Sequence, residues 1–368
     1  MNILPIAFNN IAFTQKKEML NNSPVIQPKY MYTLDRDTVN FTAAKLNKNA
    51  KAAKEVNKNK VKNEESKEVS IQLCSDIHEE AKRPANDLLC LLRREFKGLV
   101  ASEAHPENPI RPGANGIKVR VKSPRSIREK ALSTDNRTKD SIKGMGDVVG
   151  ARIVMQSSTQ EDFDKVFQIL GSMVEKGKLK VTEVENYRLT SKDSYVSQKT
   201  LDKFEERCTK CGQYPEIKSK PIPNGYTAIH ITLQLENGLK AELQIMGHDT
   251  EHVKEIEDFY YKLRCKKDFD PKYKSIEKIM KEKMKNLSEF EQEALNKYIK
   301  DSYIHARELP PRNSKPTVKD FLPWPYFLPK ELSYVELYRM KTICDKKDKA
   351  TKEAKAEKEA EVAKAKKK

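Results

Sequence analysis

The sequence predicts a mixed α/β (α+β) domain over roughly residues 75–300, with helices flanking a sheet of about five strands. Short segments of alternating polarity, typical of strands, are interleaved with segments whose apolar residues recur at helical spacing. The segments 227–235 and 239–246 also form a hairpin pattern around Asn237 and Gly238. Helices interleaved with strands, together with one hairpin, indicate a mixed sheet.

The first helical pattern covers residues 69–100, as one amphipathic helix or a helix pair. Residues 117–122 alternate like a strand. Ser123 and Pro124 then begin a helix that ends near residue 132, because serine caps a helix and proline suits its first position. The remaining predicted elements are strands at 147–155 and 180–187, an irregular segment at 190–222, and helices at 161–176, 250–265 and 271–301.

Composition predicts three further segments outside this domain. Residues 1–70 are rich in Asn and Lys and offer little to bury, so we predict a disordered leader. Residues 301–344 form a proline- and aromatic-rich arm around Trp324, which we expect to pack on the domain, with a recognition surface as the alternative. Residues 345–368, rich in Lys, Ala and Glu, are typical of a solvated, partly helical tail. The fold prediction therefore includes disordered basic tails.

The charge is strongly basic. The sequence has 71 Lys and Arg against 54 Asp and Glu, a formal net charge of +17, which suits an anionic partner such as a nucleotide or RNA. Much of this excess lies near the two ends, where its role could be solvation alone. The six cysteines are scattered, and no segment has the roughly 18 apolar residues of a membrane span. We therefore expect a cytoplasmic protein with no membrane partner.

The hairpin gathers polar side chains by parity. Its apolar residues are Ile231, Leu233 and Leu235 on one strand and Leu243 and Ile245 on the other. A two-residue turn would put these sets on opposite faces, whereas a three-residue connection puts them on one buried face. The opposite face then carries His230, Thr232, Glu242 and Gln244. A polar cluster around a carboxylate is a candidate site, and a solvated sheet face is the alternative.

A basic corner joins the strand at 117–122 to the following helix. Arg120 and Lys122 share one strand face, while Ser126 and Lys130, four residues apart, share one helix face. Together with the helix N-terminus, these groups suit phosphates. Surface decoration is the alternative for basic residues at this density.

Asp147 is predicted to head an apolar strand, where a carboxylate is costly unless it binds a cation or hydrogen-bond donors. Mg²⁺ takes one or two carboxylates and completes its shell with phosphates and waters. Asp147 and Glu242 are therefore candidate magnesium ligands, and a cap or salt bridge is the alternative for Asp147. Cys208 and Cys211 form half of a zinc pattern whose second pair is absent from the sequence.

In their order along the chain, these motifs resemble the synthetase domain of the RelA/SpoT family, the makers of the alarmones ppGpp and pppGpp. The resemblance spans about residues 85–265 and implies a nucleotidyltransferase-like domain. The family elements R-x-K-x-x-x-S-x-x-x-K, D-x-x-G-x-R, N-G-Y-x-x-x-H and E-x-Q-I all occur. They comprise Arg120, Lys122, Ser126 and Lys130; Asp147, Gly150 and Arg152; Asn224, Gly225, Tyr226 and His230; and Glu242, Gln244 and Ile245.

The resemblance implies a role for each residue. The ATP-binding set is Arg120, Lys122, Ser126, Lys130 and Arg152, with Arg152 stacking on adenine opposite Arg120. The acceptor-binding set is Asn224, Tyr226, His230, Gln244 and Glu257, with Tyr226 stacking on the acceptor's base. Asp147 and Glu242 would be the catalytic carboxylates and would hold Mg²⁺. A flat strand would point Asp147 and Arg152 to opposite faces, so we expect a bend at Gly150.

The implied activity is that of a GTP diphosphokinase-type enzyme, which transfers pyrophosphate from ATP to the 3′-hydroxyl of GDP or GTP. Three departures from the family lie on the acceptor side: Ile222 replaces a lysine, Met246 an arginine and Gly247 a threonine. They leave two alternatives open. One is a toxin-like pyrophosphokinase acting on the tRNA 3′ end or on adenine nucleotides, and the other is a degenerate nucleotide- or RNA-binding module. Small family members often form homo-oligomers, so a second copy of the chain is a further candidate partner.

Overall fold

The computed structural model describes residues 69–365 except for 135, 137, 157–158, 189, 191–193, 268 and 311–316. Residues 1–68 of the predicted leader and 366–368 of the predicted tail lie outside the described residues.

Six β-strands form one mixed sheet in the order β1-β2-β6-β5-β3-β4. They are β1 Ile117–Val121, β2 Val149–Met155, β3 Val181–Arg188, β4 Glu216–Pro221, β5 Ala228–Gln234 and β6 Lys240–Gly247. The β2–β6 and β3–β4 pairs are parallel, and the other neighbours are antiparallel. The predicted mixed sheet is confirmed, with six strands instead of about five.

The helices flank this sheet. They are α1 Ile71–Glu95, α2 Pro124–Ser133, α3 Lys139–Lys143, α4 Gln160–Glu175, α5 Gln198–Lys210, α6 His248–Arg264, α7 Lys274–Lys285, α8 Glu289–Glu308 and α9 Tyr334–Ala365. Helix α2 begins as predicted, because the Ser123 side chain accepts a hydrogen bond from the backbone N–H of Ser126 and Pro124 occupies the first turn. None of the described helices combines the length and apolarity needed to cross a membrane.

The apolar face of the sheet carries the main core. Residues of β2, β5 and β6 alternate in burial, and the buried set includes Ala151, Ile231 and Leu243. Helices α1 to α5 contribute side chains such as Leu92 and Phe167 to the same cluster. Because one face of the sheet is buried in this core, the polar side chains of the strands lie together on the other face.

A second apolar cluster joins helices α6 to α9 to one end of the polar face, where it includes Ala228 of β5 and Met246 of β6. The segment 317–332 packs into this cluster. The ring of Trp324 lies 4.7 Å from that of Tyr298, and its Nε1–H donates to the backbone oxygen of Leu328. The aromatic arm therefore packs on the domain, as expected.

The prediction of irregular structure at 190–222 is wrong, because this segment contains α5 and the edge strand β4. Helix α5 buries only Leu201, Phe204 and Cys208. They lie at helical spacing, but the many charged residues around them led to the prediction of an irregular segment. The predicted helix at 271–301 is interrupted before Ser288, whose side chain caps α8. Helix α9 continues to Ala365, across the predicted boundary between arm and tail.

Candidate active site

The hairpin register places the predicted polar cluster on one face. Strands β5 and β6 pair His230 with Gln244 and Thr232 with Glu242. The Leu235 N–H donates to the Leu239 oxygen at 2.8 Å, so three residues form the connection. The three-residue connection inferred from parity is confirmed.

The basic corner and the hairpin share this polar face. In the register of β2 and β6, Gly150 lies opposite Glu242 and Arg152 opposite Gln244. On the other side of β2, Arg120 pairs with Gly150. A Cβ at Gly150 would meet the Arg120 side chain at 3.7 Å, so the arginine lies over the glycine. The sheet order therefore brings the candidate donor and acceptor residues side by side.

Asp147 lies in the turn before β2, which begins at Val149. The prediction that it heads the strand is wrong, and so is the expected bend at Gly150, because the β2 register with both neighbours is continuous through that residue. Because Asp147 lies in a turn, the alternation of side chains along a strand does not determine the direction of its side chain. Its Oδ2 accepts hydrogen bonds from Lys122 and from Lys130, the latter at 2.7 Å. The carboxylate therefore reaches the basic corner.

Lys122 and Lys130 bring the two candidate carboxylates into one electrostatic environment. Burial lowers the pKa of Lys122, while Asp147 and, more weakly, Glu242 raise it, with a net decrease. Lys130 likewise contributes to the low pKa of Glu242. Ser126 lies close by in the first turn of α2, where its hydroxyl accepts from that of Ser123 at 3.0 Å. The predicted phosphate-binding groups are thus gathered at one corner of the face.

Glu242 is held on both oxygens. His230 Nδ1 lies 3.1 Å from Oε1, and Gln244 Nε2 donates to Oε2 at 2.6 Å. Burial raises the pKa of Glu242, but the hydrogen bond and charge of His230, with smaller effects of Gln244 and Lys130, lower it to about 2. The carboxylate is therefore ionised and fixed in orientation at neutral pH.

Tyr226 is buried rather than open to a ligand, with 8% of its surface exposed. Its hydroxyl lies 2.9 Å from His230 Nε2, and its ring packs edge-on against Tyr303 at 5.8 Å. Asn224 accepts a hydrogen bond from the backbone N–H of Tyr226 at 3.1 Å. In this conformation Asn224 shapes the turn, and the Tyr226 hydroxyl orients His230.

Helix α8 clamps that turn. Gly225 has a φ of +81°, and a Cβ at this position would lie 2.8 Å from the backbone oxygen of Lys300. Arg307 donates a hydrogen bond to the hydroxyl of Thr227, which is buried. Glycine is required here both by the left-handed backbone and by the approach of the helix.

Two glutamates of α6, Glu257 and Glu251, are buried and pair with different basic residues. Glu257, predicted to bind the acceptor, is buried and forms an ion pair with the exposed Arg264, and burial raises its pKa. Glu251, which sequence reasoning missed, lies within 2.9 Å of both Lys118 and Arg152. A helix N-terminus commonly carries acidic residues, so the sequence contains no signal that singles out Glu251.

The acceptor side contains a second missed residue, Tyr187 of β3. Its ring centre lies 4.5 Å from that of His230, and its hydroxyl donates to Glu185 at 2.7 Å. The neighbouring lysines are paired with acids: Lys218 with Glu183 at 2.7 Å, and Lys220 with Glu185.

Residues 119–266 match a family model described as "Region found in RelA / SpoT proteins". The match covers less than half of the chain. All the predicted site residues lie within it, and so do the missed residues Glu251 and Tyr187. The clamping residues Tyr303 and Arg307 lie beyond its end.

Several solved structures are similar to this chain. Small alarmone synthetase 1 from Bacillus subtilis is 17% identical, with 63% of this chain and 91% of that chain covered and a TM-score of 0.38. Small alarmone synthetase 2 from Bacillus subtilis is 19% identical, with 62% of this chain and 88% of that chain covered and a TM-score of 0.34. A GTP pyrophosphokinase family protein from Streptococcus pneumoniae is 14% identical, with 62% of this chain and 87% of that chain covered and a TM-score of 0.36. Such low scores carry no argument about activity. A search of curated proteins finds no match.

A magnesium ion would fit the polar face at Asp147. Its Oδ1 is buried and has no hydrogen-bond partner among the described residues, whereas both oxygens of Glu242 are already engaged. The described residues contain no group of three or more His, Cys, Asp or Glu side chains that could hold a metal. This is compatible with Mg²⁺, which takes most of its ligands from phosphates and water. Among the described residues, Cys208 belongs to no such group of possible zinc ligands. Burial raises the pKa of its thiol to about 12.

Proposed function

We propose that this protein transfers pyrophosphate from ATP to the 3′-hydroxyl of GDP or GTP, with the help of Mg²⁺. The observation that carries the proposal is the continuous polar face, on which Arg152 of β2 and His230 of β5 flank Gln244 of β6, two residues along the strand from Glu242. An arrangement of this kind holds a donor and an acceptor next to each other, which is the main requirement of phosphoryl-type transfer.

On the donor side, Arg120, Lys122 and Lys130 would neutralise the triphosphate, and Ser126 would donate a hydrogen bond to it. Asp147 would hold the metal through Oδ1 while its Oδ2 keeps the two lysines in place. Mg²⁺, when bound, would supply further neutralisation of charge on the phosphate oxygens. Attack of the hydroxyl oxygen at the β-phosphorus would break the bond to the oxygen that leaves with AMP, would place pyrophosphate on the acceptor oxygen and would release the hydroxyl proton to water.

On the acceptor side, Glu242 would accept the hydrogen bond of the attacking hydroxyl. A carboxylate whose pKa lies at about 2 is a weak base, so its main contribution is orientation of the hydroxyl and stabilisation of the leaving proton. His230 and Gln244 keep this carboxylate from rotating. The closed position of Tyr226 means that base stacking on its ring requires the turn at Gly225 to move.

A second candidate function keeps the donor chemistry and changes the acceptor. Ile222 and Met246, which occupy positions that are basic in the family, pack into the second apolar cluster. Lys218 and Lys220 are held by Glu183 and Glu185. The acceptor side therefore offers little positive charge to a 5′-di- or triphosphate, which favours the tRNA 3′ end, whose terminal nucleotide carries no such group.

The test follows the labelled β,γ-pyrophosphate of ATP with Mg²⁺ in separate reactions with GDP, GTP, ATP and deacylated tRNA. Label on GDP or GTP supports the first function, and label on tRNA or on a second adenine nucleotide supports the second. Glu242→Gln should abolish transfer, whereas Glu236→Gln, in the exposed connection of the same hairpin, should not. Transfer to none of the acceptors would overturn both functions, and retained ATP binding would then leave a nucleotide-binding module.

A further inference from the structure

We propose that Glu251 is a positioning residue that orients Arg152 for the donor nucleotide and, through Gln244, orients Glu242. The inference deepens the proposed function and rests on it. Glu251 lies in the first part of α6, directly after β6, and its side chain is 2% exposed. A buried carboxylate on a helix that adjoins the polar face needs a specific partner to offset its lost hydration.

The partners of Glu251 come from two different strands. Its Oε1 lies 2.9 Å from the Lys118 ammonium of β1 and 2.9 Å from Nη1 of Arg152 of β2. Burial raises the pKa of Glu251, but the charges of Lys118 and Arg152 outweigh it and the pKa is lowered. Both contacts therefore act on the ionised carboxylate.

The two cations need this carboxylate as well. Lys118 and Arg152 are direct partners in the antiparallel register of β1 and β2. Like charges directly opposite each other destabilise a strand pair. Glu251 lies between them and converts a repulsive pair into a bridged one.

The bridge fixes the plane of the Arg152 guanidinium. While Nη1 is held by Glu251, Nη2 donates to Gln244 Oε1 at 3.0 Å. A planar guanidinium held at both terminal nitrogens cannot rotate freely, so the direction in which its flat faces point is fixed. Stacking on a nucleotide base requires that geometry. Glu251 would thus determine how Arg152 is presented to the donor.

The same contacts fix the Gln244 amide. Since its oxygen faces Arg152, its Nε2 faces Glu242 and donates to Oε2 at 2.6 Å. If Arg152 swung away, the amide would lose the contact that determines its orientation. Replacing Glu251 should therefore change the orientation of the Glu242 carboxylate as well as that of Arg152 at the donor site.

The experiment uses the full chain and two substitutions that separate charge from reach. Glu251→Gln keeps the length of the side chain and removes its charge, whereas Glu251→Asp keeps the charge and shortens the side chain. The matched control is Glu255→Gln on the same helix, whose ion pair with Lys341 at 3.4 Å joins α6 to α9. Binding of AMPCPP, an analogue of the donor ATP, is measured by calorimetry, and folding is checked by circular dichroism.

We expect roughly 10-fold weaker AMPCPP binding for Glu251→Gln and a several-fold loss for Glu251→Asp, with the control unchanged. In the transfer assay, both variants should raise the KM for ATP and lower kcat, because Gln244 no longer holds Glu242. A merely structural charge balance would be restored by aspartate. Wild-type binding and kcat in a folded Glu251→Asp protein would therefore overturn the inference.

Two outcomes separate this inference from the proposed function. Wild-type protein that binds AMPCPP but transfers no pyrophosphate would overturn the proposed function, and the binding comparison would still decide the role of Glu251. If Glu251→Gln fails to fold, the decision falls to Glu251→Asp, which keeps the buried charge. Wild-type protein that does not bind AMPCPP would overturn both proposals.

Discussion

The imidazole of His230 bridges the Tyr226 hydroxyl and the Glu242 carboxylate, with Nε2 2.9 Å from the former and Nδ1 3.1 Å from the latter. An ionised carboxylate can only accept, so Nδ1 must carry the proton that is donated to Glu242. Its Nε2 pairs with the Tyr226 hydroxyl. The three side chains therefore form one hydrogen-bonded chain in which the charge on Glu242 fixes a proton on Nδ1.

Acid should weaken the folded state through Glu242. Its pKa is about 2 in the folded protein and ordinarily 4.5, so its ionised form stabilises the fold above pH 4.5. This contribution is lost as the pH falls from 4.5 towards 2. Urea unfolding across this range should show a shallower pH dependence for Glu242→Gln than for wild type. The exposed Glu236→Gln is the control, and equal slopes for all three proteins would contradict the prediction.

Replacing Gly225 with alanine should destabilise the protein by about 2–4 kcal/mol, from left-handed strain and from overlap with α8. Gly238 provides a matched control, because it has the same φ of +81° but a Cβ at that position would have no neighbouring atom within 4 Å. Gly238→Ala should therefore lose only about 1–2 kcal/mol. Urea denaturation of the two variants measures the difference, and equal losses would mean that α8 does not restrict the turn.

Replacing Asp147 with asparagine should remove the effect of magnesium on donor binding. Without Mg²⁺, ATP affinity should hold or rise, because a carboxylate that repels phosphate has been removed. The increase caused by Mg²⁺ should disappear, and transfer should fall by roughly 100-fold. AMPCPP calorimetry with and without Mg²⁺ tests this, with Asp140→Asn, an exposed change in α3, as control. A normal response to Mg²⁺ in Asp147→Asn would place the metal elsewhere.

Truncating Trp324 to alanine should cost about 2–3 kcal/mol, because its ring packs on Tyr298 and its N–H is paired with Leu328. The neighbouring Tyr326→Ala should change the free energy of unfolding little, since Tyr326 is 98% exposed. Urea unfolding followed by circular dichroism compares the two. Similar values would indicate that the arm is not part of the cooperative unit.

The sequence predicts the hairpin face well because burial of one side leaves a single compatible register. His230, Glu242 and Gln244 follow from that constraint without any knowledge of their neighbours. The basic corner follows from local spacing in the same way, since strand and helix periodicities place its residues on defined faces. Local patterns therefore account for the predicted parts of the site.

The remaining features depend on long-range neighbours. Glu251 matters because β2 and β6 are adjacent, and 99 residues separate it from Arg152. The position of Asp147 in a turn, and not on the strand, depends on where pairing with β1 begins. The burial of Tyr226 depends on α8, since Tyr303 packs on its ring. A single sequence contains no period or spacing that encodes these contacts.

Because α8 packs on Gly225, the segment that folds together is longer than residues 119–266, which match the family model. A fragment cut to residues 119–266 would keep every motif residue and lose both α1, which covers the apolar sheet face, and α8, which closes the turn. Such a fragment would present two uncovered apolar surfaces to water and should aggregate. Expression boundaries for this protein must therefore follow the packing of its helices, well beyond the limits of the recognisable motifs.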